Sequence, residues 1–278
     1  MVEPEARPAV VTVGGSDSSG GAGIQADLKT IHALGGYGLS VLTSVTAQNS
    51  DGILAVQHLP GRLVEAQLRA LADDFPVAAI KTGMLATAEV VIALAEFLTE
   101  FLVNAPRRQA GRGVPLVVDP VLKSTSGHAL LDDQGKKMLI ERLLPLATVC
   151  TPNWPEAEFL GGIPVGNLDD AVEAAQRIVA KGTRAVVVTG GHGSGEMSVD
   201  VLVGRDGIAR FSSRRMAGSF HGTGCAFAAA LATGLAAGQP VAEAVERAKQ
   251  YVSRAIISPL LLGQRRPILD HLGGRPPE

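Results

Sequence analysis

The sequence predicts an α/β fold in which a mostly parallel sheet is covered by helices on both faces. Short runs of β-branched residues recur along the whole chain, and stretches with apolar residues every three or four positions lie between most of them. At 278 residues and 46% hydrophobic content, the chain is long enough to bury both sides of such a sheet without disulfide staples.

Taken in order, AVVTV at 9–13 reads as a buried strand, and the Leu, Ile and Ala spacing over 22–34 as the helix that follows it. A strand over 39–44 leads to a helix over 62–72, AAIK at 78–81 to a helix over 88–101, and LVVD at 116–119 to a helix over 132–144. Further strands are expected over 148–150, 185–189 and 199–203, with a helix over 168–180, and helices over 223–237 and 241–258 close the pattern. NAPRRQAGRGV at 104–114 has the composition of a loop, yet apolar strands continue on both sides of it. One domain over 1–278 is therefore expected, with a core over 9–259 and a tail over 260–278 whose last residues, GGRPPE, read as frayed.

Composition excludes several functions. Lys and Arg number 25 against 27 Asp and Glu, which leaves no basic stripe for a phosphate backbone, and one Trp, two Tyr and seven Phe are few for base stacking. Nucleic acid is not an expected partner. The start, MVEPEARPAVV, carries acids and prolines where a secretion signal needs a basic start and an apolar run, and no stretch reaches the roughly 18 apolar residues of a membrane span. The two cysteines, Cys150 and Cys225, are far apart and neither belongs to a cluster with zinc-ligand spacing, which fits a reducing cytoplasm.

The 33 glycines are not spread evenly: they bunch at Gly14-Gly15, Gly20-Gly21-Gly23, Gly190-Gly191-Gly193-Gly195 and Gly222-Gly224, mostly where predicted strands end. Ligands of open α/β sheets sit beyond those ends. GGSDSSGGAG at 14–23 is neither a dinucleotide fingerprint nor a GxxxxGK[ST] phosphate loop. It suits either a wall over a small polar substrate, with Asp27 accepting from an amine or hydroxyl, or a long turn with an Asp or Ser helix cap. Gln48 and Asn49 offer paired donors and acceptors for a heterocycle edge, or a turn cap, and Met84 in KTGML suits packing on a flat ring or filling a core. Asp119 with the pair Asn153 and Glu156 has the make-up of a hydrated magnesium site, although N-x-x-E also fits a helix capping box. In FHGTGC at 220–225 the glycines expose N–H groups at a helix start, an anion hole for a phosphoryl group. Cys225 then falls in the first helical turn, where the helix dipole is expected to favour its thiolate, unless it is a buried structural cysteine.

GGSDSSGGAGIQADLKT, TSVTAQNS, KTGML, DPV at 119–121, TPNWPEAE at 151–158, TGGHG at 189–193 and HGTGC at 221–225 together resemble, in the same order, the bacterial hydroxymethylpyrimidine and phosphomethylpyrimidine kinases of thiamine biosynthesis. The resemblance implies a ribokinase-like three-layer α/β/α fold without a separate lid domain, use of ATP and Mg2+, and a homodimer. It implies that Cys225 takes the proton of the substrate hydroxymethyl group while the N–H groups of Gly222, Thr223 and Gly224 hold the transferred phosphoryl group. Gln48 and Gly15 would hold an aminopyrimidine, with Asp27 near its substituents and Met84 and Val121 against the ring. Asp119 and Glu156 would orient magnesium with Asn153 in support, and Thr189, Gly191 and His192 would border the nucleotide phosphates. The chain departs from the family at Thr189 and Thr125, where lysines are usual, leaving Lys123 or an added metal ion to supply charge. A branch of pyridoxal kinases shares the HGTGC ending and is the nearest alternative.

Overall fold

The computed structural model describes residues 7–104, 113–124, 127–218, 220–257, 259–264 and 266–273. Strands β1 (Ala9–Ser16), β2 (Tyr37–Gln48), β3 (Ile53–His58), β4 (Val77–Thr82), β5 (Leu116–Val118), β6 (Val149–Cys150), β7 (Ala185–Val188), β8 (Met197–Gly204) and β9 (Gly207–Arg214) form one sheet in the order β3-β2-β1-β4-β5-β6-β7-β8-β9. The six strands from β2 through β7 in that order are mutually parallel, while β3, β8 and β9 join antiparallel at the two ends. The helices are α1 (Gly23–Ala33), α2 (Gly61–Asp74), α3 (Ala88–Asn104), α4 (Asp133–Met138), α5 (Trp154–Gly161), α6 (Leu168–Val179), α7 (Thr223–Ala236) and α8 (Val241–Ile257).

The strands read as continuous apolar runs because both faces are buried, and period two divides them between two cores. Val11, Val13, Leu116, Val118, Val186 and Val188 face a core filled by Leu68, Leu94, Leu160 and Ile178 from α2, α3, α5 and α6. Val10, Val117, Val149 and Val187 face a second core filled by α7, α8 and Ile31 of α1. The layers are helix, sheet, helix. Alanines occupy much of the buried face of α7, which lets that helix lie close across β1, β4 and β5. Strand β1 has β2 on one side and β4 on the other, so the connections diverge there and open a crevice at the strands' carboxyl ends.

Each expected strand is present, and three elements were not anticipated. Strand β3 is almost wholly exposed and β9 alternates between exposed and half-buried positions, so neither carries an apolar run. Helix α5 is short and begins with Trp-Pro. The helix expected over 132–144 changes type: α4 gives way to a π turn over Leu139–Leu143 and a 3-10 turn over Leu144–Leu146, where Pro145 has no N–H to continue the ladder. Much of the loop expected over 104–114, together with Thr125 and 274–278 of the tail, lies outside the described residues. The earlier part of that tail folds back, since Leu260 and Ile268 pair, Leu269 is fully buried and His271 nearly so. No helix among the described residues is long and apolar enough to cross a membrane.

Leu94 is inaccessible in the larger core. Leu94→Ala is expected to lower the unfolding free energy by about 2–5 kcal/mol in urea titrations, without moving the site at the strand exits.

Candidate active site

Two glycine loops meet face to face at the crevice. Gly222 precedes α7 with φ of +86°, and a Cβ there would overlap the carbonyl oxygen of Gly21, so at this point the 221–225 turn and the 14–23 loop meet main chain to main chain. Thr223, Gly224 and Cys225 follow as the first helical residues, whose N–H groups have no carbonyl one turn earlier to bond. Buried Asp17 ties the first loop together by accepting from the N–H and hydroxyl of Ser19 and the N–H of Ala22. Burial works against its charge, but His221, Ser19 and these N–H groups hold Asp17 below its ordinary pKa. His221 Nε2 lies 3.0 Å from Asp17 Oδ2 and 3.0 Å from Gln48 Nε2, joining both loops to the end of β2. Neither Asp17 nor His221 was singled out from sequence.

Below the loops sits a buried charge pair. Lys81 Nζ of β4 is 2.8 Å from Asp27 Oδ2 of α1, which also accepts from the Thr12 hydroxyl of β1, and both charged side chains are 1% exposed. Asp27 Oδ1 has no hydrogen-bond partner among the described residues. Asp27 thus lies in the floor of the crevice rather than in a mobile wall. Cys225 is partly exposed at its surface but lies within electrostatic reach of this buried charge and close to the Gly23 amide. The expected low thiol pKa is not found: burial pushes the Cys225 thiol up, Lys81 opposes it, Asp27 and Asp119 add to it, and the result is about 12. Desolvation and two carboxylates outweigh what one helix end supplies.

The ring-binding candidates come together only in part. A Cβ on Gly15 would lie 2.9 Å from Met84 Sδ, and the Thr43 hydroxyl donates to the Met84 carbonyl, so Gly15 and Met84 line one spot between β1 and β4. Gln48 stands nearby through its contact with His221, and its main chain is bound in both directions by Ser18. Val121 is half-buried beyond β5 and donates its N–H to the Asp119 carbonyl. Asn49 instead caps its own turn by accepting from Asp51 and Gly52.

Asp119 leaves β5 and Glu156 stands in the first turn of α5, both nearly inaccessible. The capping box is real: the Asn153 side chain accepts from the Glu156 N–H at 3.0 Å, and Glu156 Oε2 accepts from the Asn153 N–H at 2.9 Å. Burial raises Asp119 to about 6, with Lys81 opposing and Asp27 adding. Burial and then Asp119 raise Glu156 to about 8, against its bonds to Asn153 and Leu122. Two buried carboxylates that resist ionisation together are an oxygen donor set suited to a divalent cation, and magnesium commonly takes one or two carboxylates with waters and phosphate oxygens. Among the described residues no group of three or more His, Cys, Asp or Glu side chains gathers as a closed metal cage.

Beyond β7, the Thr189 N–H donates to Pro152, which ties this turn to the start of α5. The Gly190 N–H donates to buried Asp200, itself 2.9 Å from Lys249 Nζ. Arg215 donates to the carbonyls of Gly190, Gly191, Gly195 and Met197, so its guanidinium brings positive charge to a turn that lacks a lysine at Thr189. Burial and Arg215 both lower the pKa of His192. Lys123 is exposed and pairs through its backbone with Ala129. Arg215, Asp200 and Lys249 were not anticipated.

Residues 17–269 match the family model described as phosphomethylpyrimidine kinase, and the chain belongs to that family of phosphotransferases. It is 46% identical over 275 residues to the hydroxymethylpyrimidine/phosphomethylpyrimidine kinase of Streptomyces coelicolor, covering 96% of each chain. It is 45% identical over 270 residues to the thiamine biosynthesis bifunctional protein ThiED of Geobacter sulfurreducens, where 97% of this chain spans about half, 53%, of that protein. The crystal structure of phosphomethylpyrimidine kinase from Clostridium difficile superposes with a TM-score of 0.77 at 40% identity, covering 90% of this chain and 100% of that one. The pyridoxal kinase of Staphylococcus aureus in complex with ADP superposes with a TM-score of 0.85 at 34% identity, covering 97% and 95%. The architecture is ribokinase-like, with no separate lid domain among the described residues.

Three outcomes follow from this geometry. Gly222→Ala forces the two loops apart and displaces the exposed N–H groups, so kcat should fall about 100-fold or more in a coupled ADP-release assay. Arg215→Ala should raise KM for ATP more than it lowers kcat. Because Asp119 and Glu156 stand at about 6 and about 8, above their ordinary 3.8 and 4.5, the native state keeps protons that the unfolded chain has released. Their contribution therefore favours folding at low pH and declines as pH rises through that window. Magnesium chloride should raise Tm more above pH of about 8 than below about 6, and Asp119→Asn should shrink that difference.

Proposed function

We propose that the chain transfers the γ-phosphoryl group of ATP to the hydroxymethyl group of 4-amino-5-hydroxymethyl-2-methylpyrimidine, and then phosphorylates the resulting monophosphate to the diphosphate. The observation that carries this reading is Cys225 at the start of α7, against the Gly23 amide and over the crevice lined by Gly15 and Met84. Gln48 and Gly15 would bind the aminopyrimidine edge, with Met84 and Val121 on the ring faces. Asp27 lies below the ring and acts through Lys81 and Thr12, since its bonded oxygen is already committed to them. The turn formed by Thr189, Gly191 and His192 would border the nucleotide phosphates.

In the transfer, the substrate hydroxyl gives its proton to the Cys225 thiolate, formed beforehand by loss of the thiol proton to water, as its oxygen bonds to the γ-phosphorus, and the bond from that phosphorus to the bridging oxygen of ADP breaks. The N–H groups of Gly222, Thr223 and Gly224 would hold the phosphoryl oxygens. Positioning and charge stabilisation supply most of the rate in such a loose transition state, so one weak base suffices. Asp119 and Glu156, with Asn153 fixing Glu156, would hold Mg2+, which when bound neutralises phosphate charge. A cytoplasmic homodimer completes the reading; the two free thiols and the family resemblance support it.

Phosphorylation of pyridoxal is the second reading, supported by the close superposition on a pyridoxal kinase. Incubating the protein with either alcohol and Mg-ATP, with products resolved by mass, decides between them. The pyrimidine mono- and diphosphates are expected, absence of both sinks the first reading, and a higher kcat/KM for pyridoxal favours the second. Cys225→Ala should lower kcat about 100-fold or more with KM for ATP little changed, and should abolish a rise of kcat with pH in the native enzyme.

A further inference from the structure

Lys81 is a fully buried ammonium that is incompletely bonded. An ammonium has three N–H donors, and the hydrogen bonds among the described residues give Lys81 one acceptor, Asp27 Oδ2. Its position is fixed from below by that bond. Gly83, at the exit of β4, leaves room for it: a Cβ there would lie 2.9 Å from Lys81 Nζ. Cys225 stands in the first turn of α7, whose start rests on Gly21 and Ala22 immediately before α1, and Asp27 stands one helical turn on from Gly23, the first residue of α1. The clamped ammonium therefore lies directly within electrostatic reach of the Cys225 sulfur, which is among the groups that act on it.

We propose that Lys81 is a positioning residue for phosphoryl transfer, a fixed cation held by Asp27 under the crevice that balances the negative charge on Cys225 when its sulfur gives up a proton. The inference rests on Cys225 being the base. Before transfer the Cys225 S–H releases its proton to water; during transfer the thiolate takes the proton of the substrate hydroxyl and returns to the thiol. The charged groups facing Cys225 are Lys81 from β4, Asp27 from α1 and Asp119 after β5, and of these only Lys81 favours the thiolate. Burial opposes the charge of Lys81, yet Asp27, Cys225 and Asp119 raise its pKa, so it stays an ammonium across the working pH range. In a chain with Thr189 in place of a lysine, this cation sits on the side of the base rather than at the nucleotide turn.

The test compares Lys81→Met with Lys81→Gln, whose amide still donates to Asp27 and so keeps the fold when the methionine variant does not fold. Each is titrated for alkylation of Cys225 by iodoacetamide as a function of pH without substrate, with the modified peptide identified by mass because Cys150 is also free. Each is also assayed for kcat and KM. Alkylation at fixed pH should slow about tenfold or more, corresponding to a shift of at least one unit in the profile, and kcat should fall by a similar factor while both KM values change little. An unchanged alkylation profile overturns the proposal, as does slowed alkylation with wild-type kcat. If Cys225→Ala keeps its turnover, the role of Cys225 as base fails instead, and the alkylation profile still reports separately on the coupling to Lys81.

Discussion

A single buried charge pair holds the centre of this molecule together. Thr12, Asp27 and Lys81 come from β1, α1 and β4, the three elements that meet where the chain changes direction across the sheet. Removing one partner would leave the other charge uncompensated out of water, at a penalty of about 3–5 kcal/mol. Joining the start of α1 to β4 in this way fixes the 14–23 loop, and that loop is what the start of α7 leans on at Gly21. The core, the glycine loops and the position of Cys225 therefore share one anchor.

Around this anchor the site separates into regions with different electrostatic characters. The turn that follows β7 is braced on two sides, by Arg215 on its carbonyls and by the Asp200 and Lys249 pair on the Gly190 N–H. The carboxylates at Asp119 and Glu156 are strained toward neutrality and await positive charge. Asp119 couples these regions, since it acts on Lys81, Glu156 and Cys225 alike. A divalent cation there would change the potential at the base as well as at the phosphates.

Much of this was legible in the sequence, for identifiable reasons. Strands buried on both faces write themselves as apolar runs, and glycine marks main chain that approaches other main chain closely, as Gly222 does at Gly21. Edge strands β3 and β9 carry no such run because solvent covers much of them. His221, which meets Asp17, and Asp27, which meets Lys81, lie 204 and 54 residues away, and nothing local in either segment announces them. Asn153 and Glu156 fit two explanations from spacing alone, and the capping bonds are formed, one of them through Glu156 Oε2. The thiol of Cys225 was misjudged because helix polarity is visible in sequence and desolvation is not.

The contact between the two glycine loops also bears on how such a scaffold changes over time. Since Gly222 meets Gly21 through backbone, the geometry of this turn depends little on side-chain identity at that contact, while substitution of Gly222 is severely constrained. The side of the crevice where we propose that the substrate ring binds is different, being formed by a handful of side chains such as Gln48 and Met84. A protein divided in this manner can exchange one small aromatic alcohol for another through a few replacements, leaving the machinery that moves the phosphate untouched.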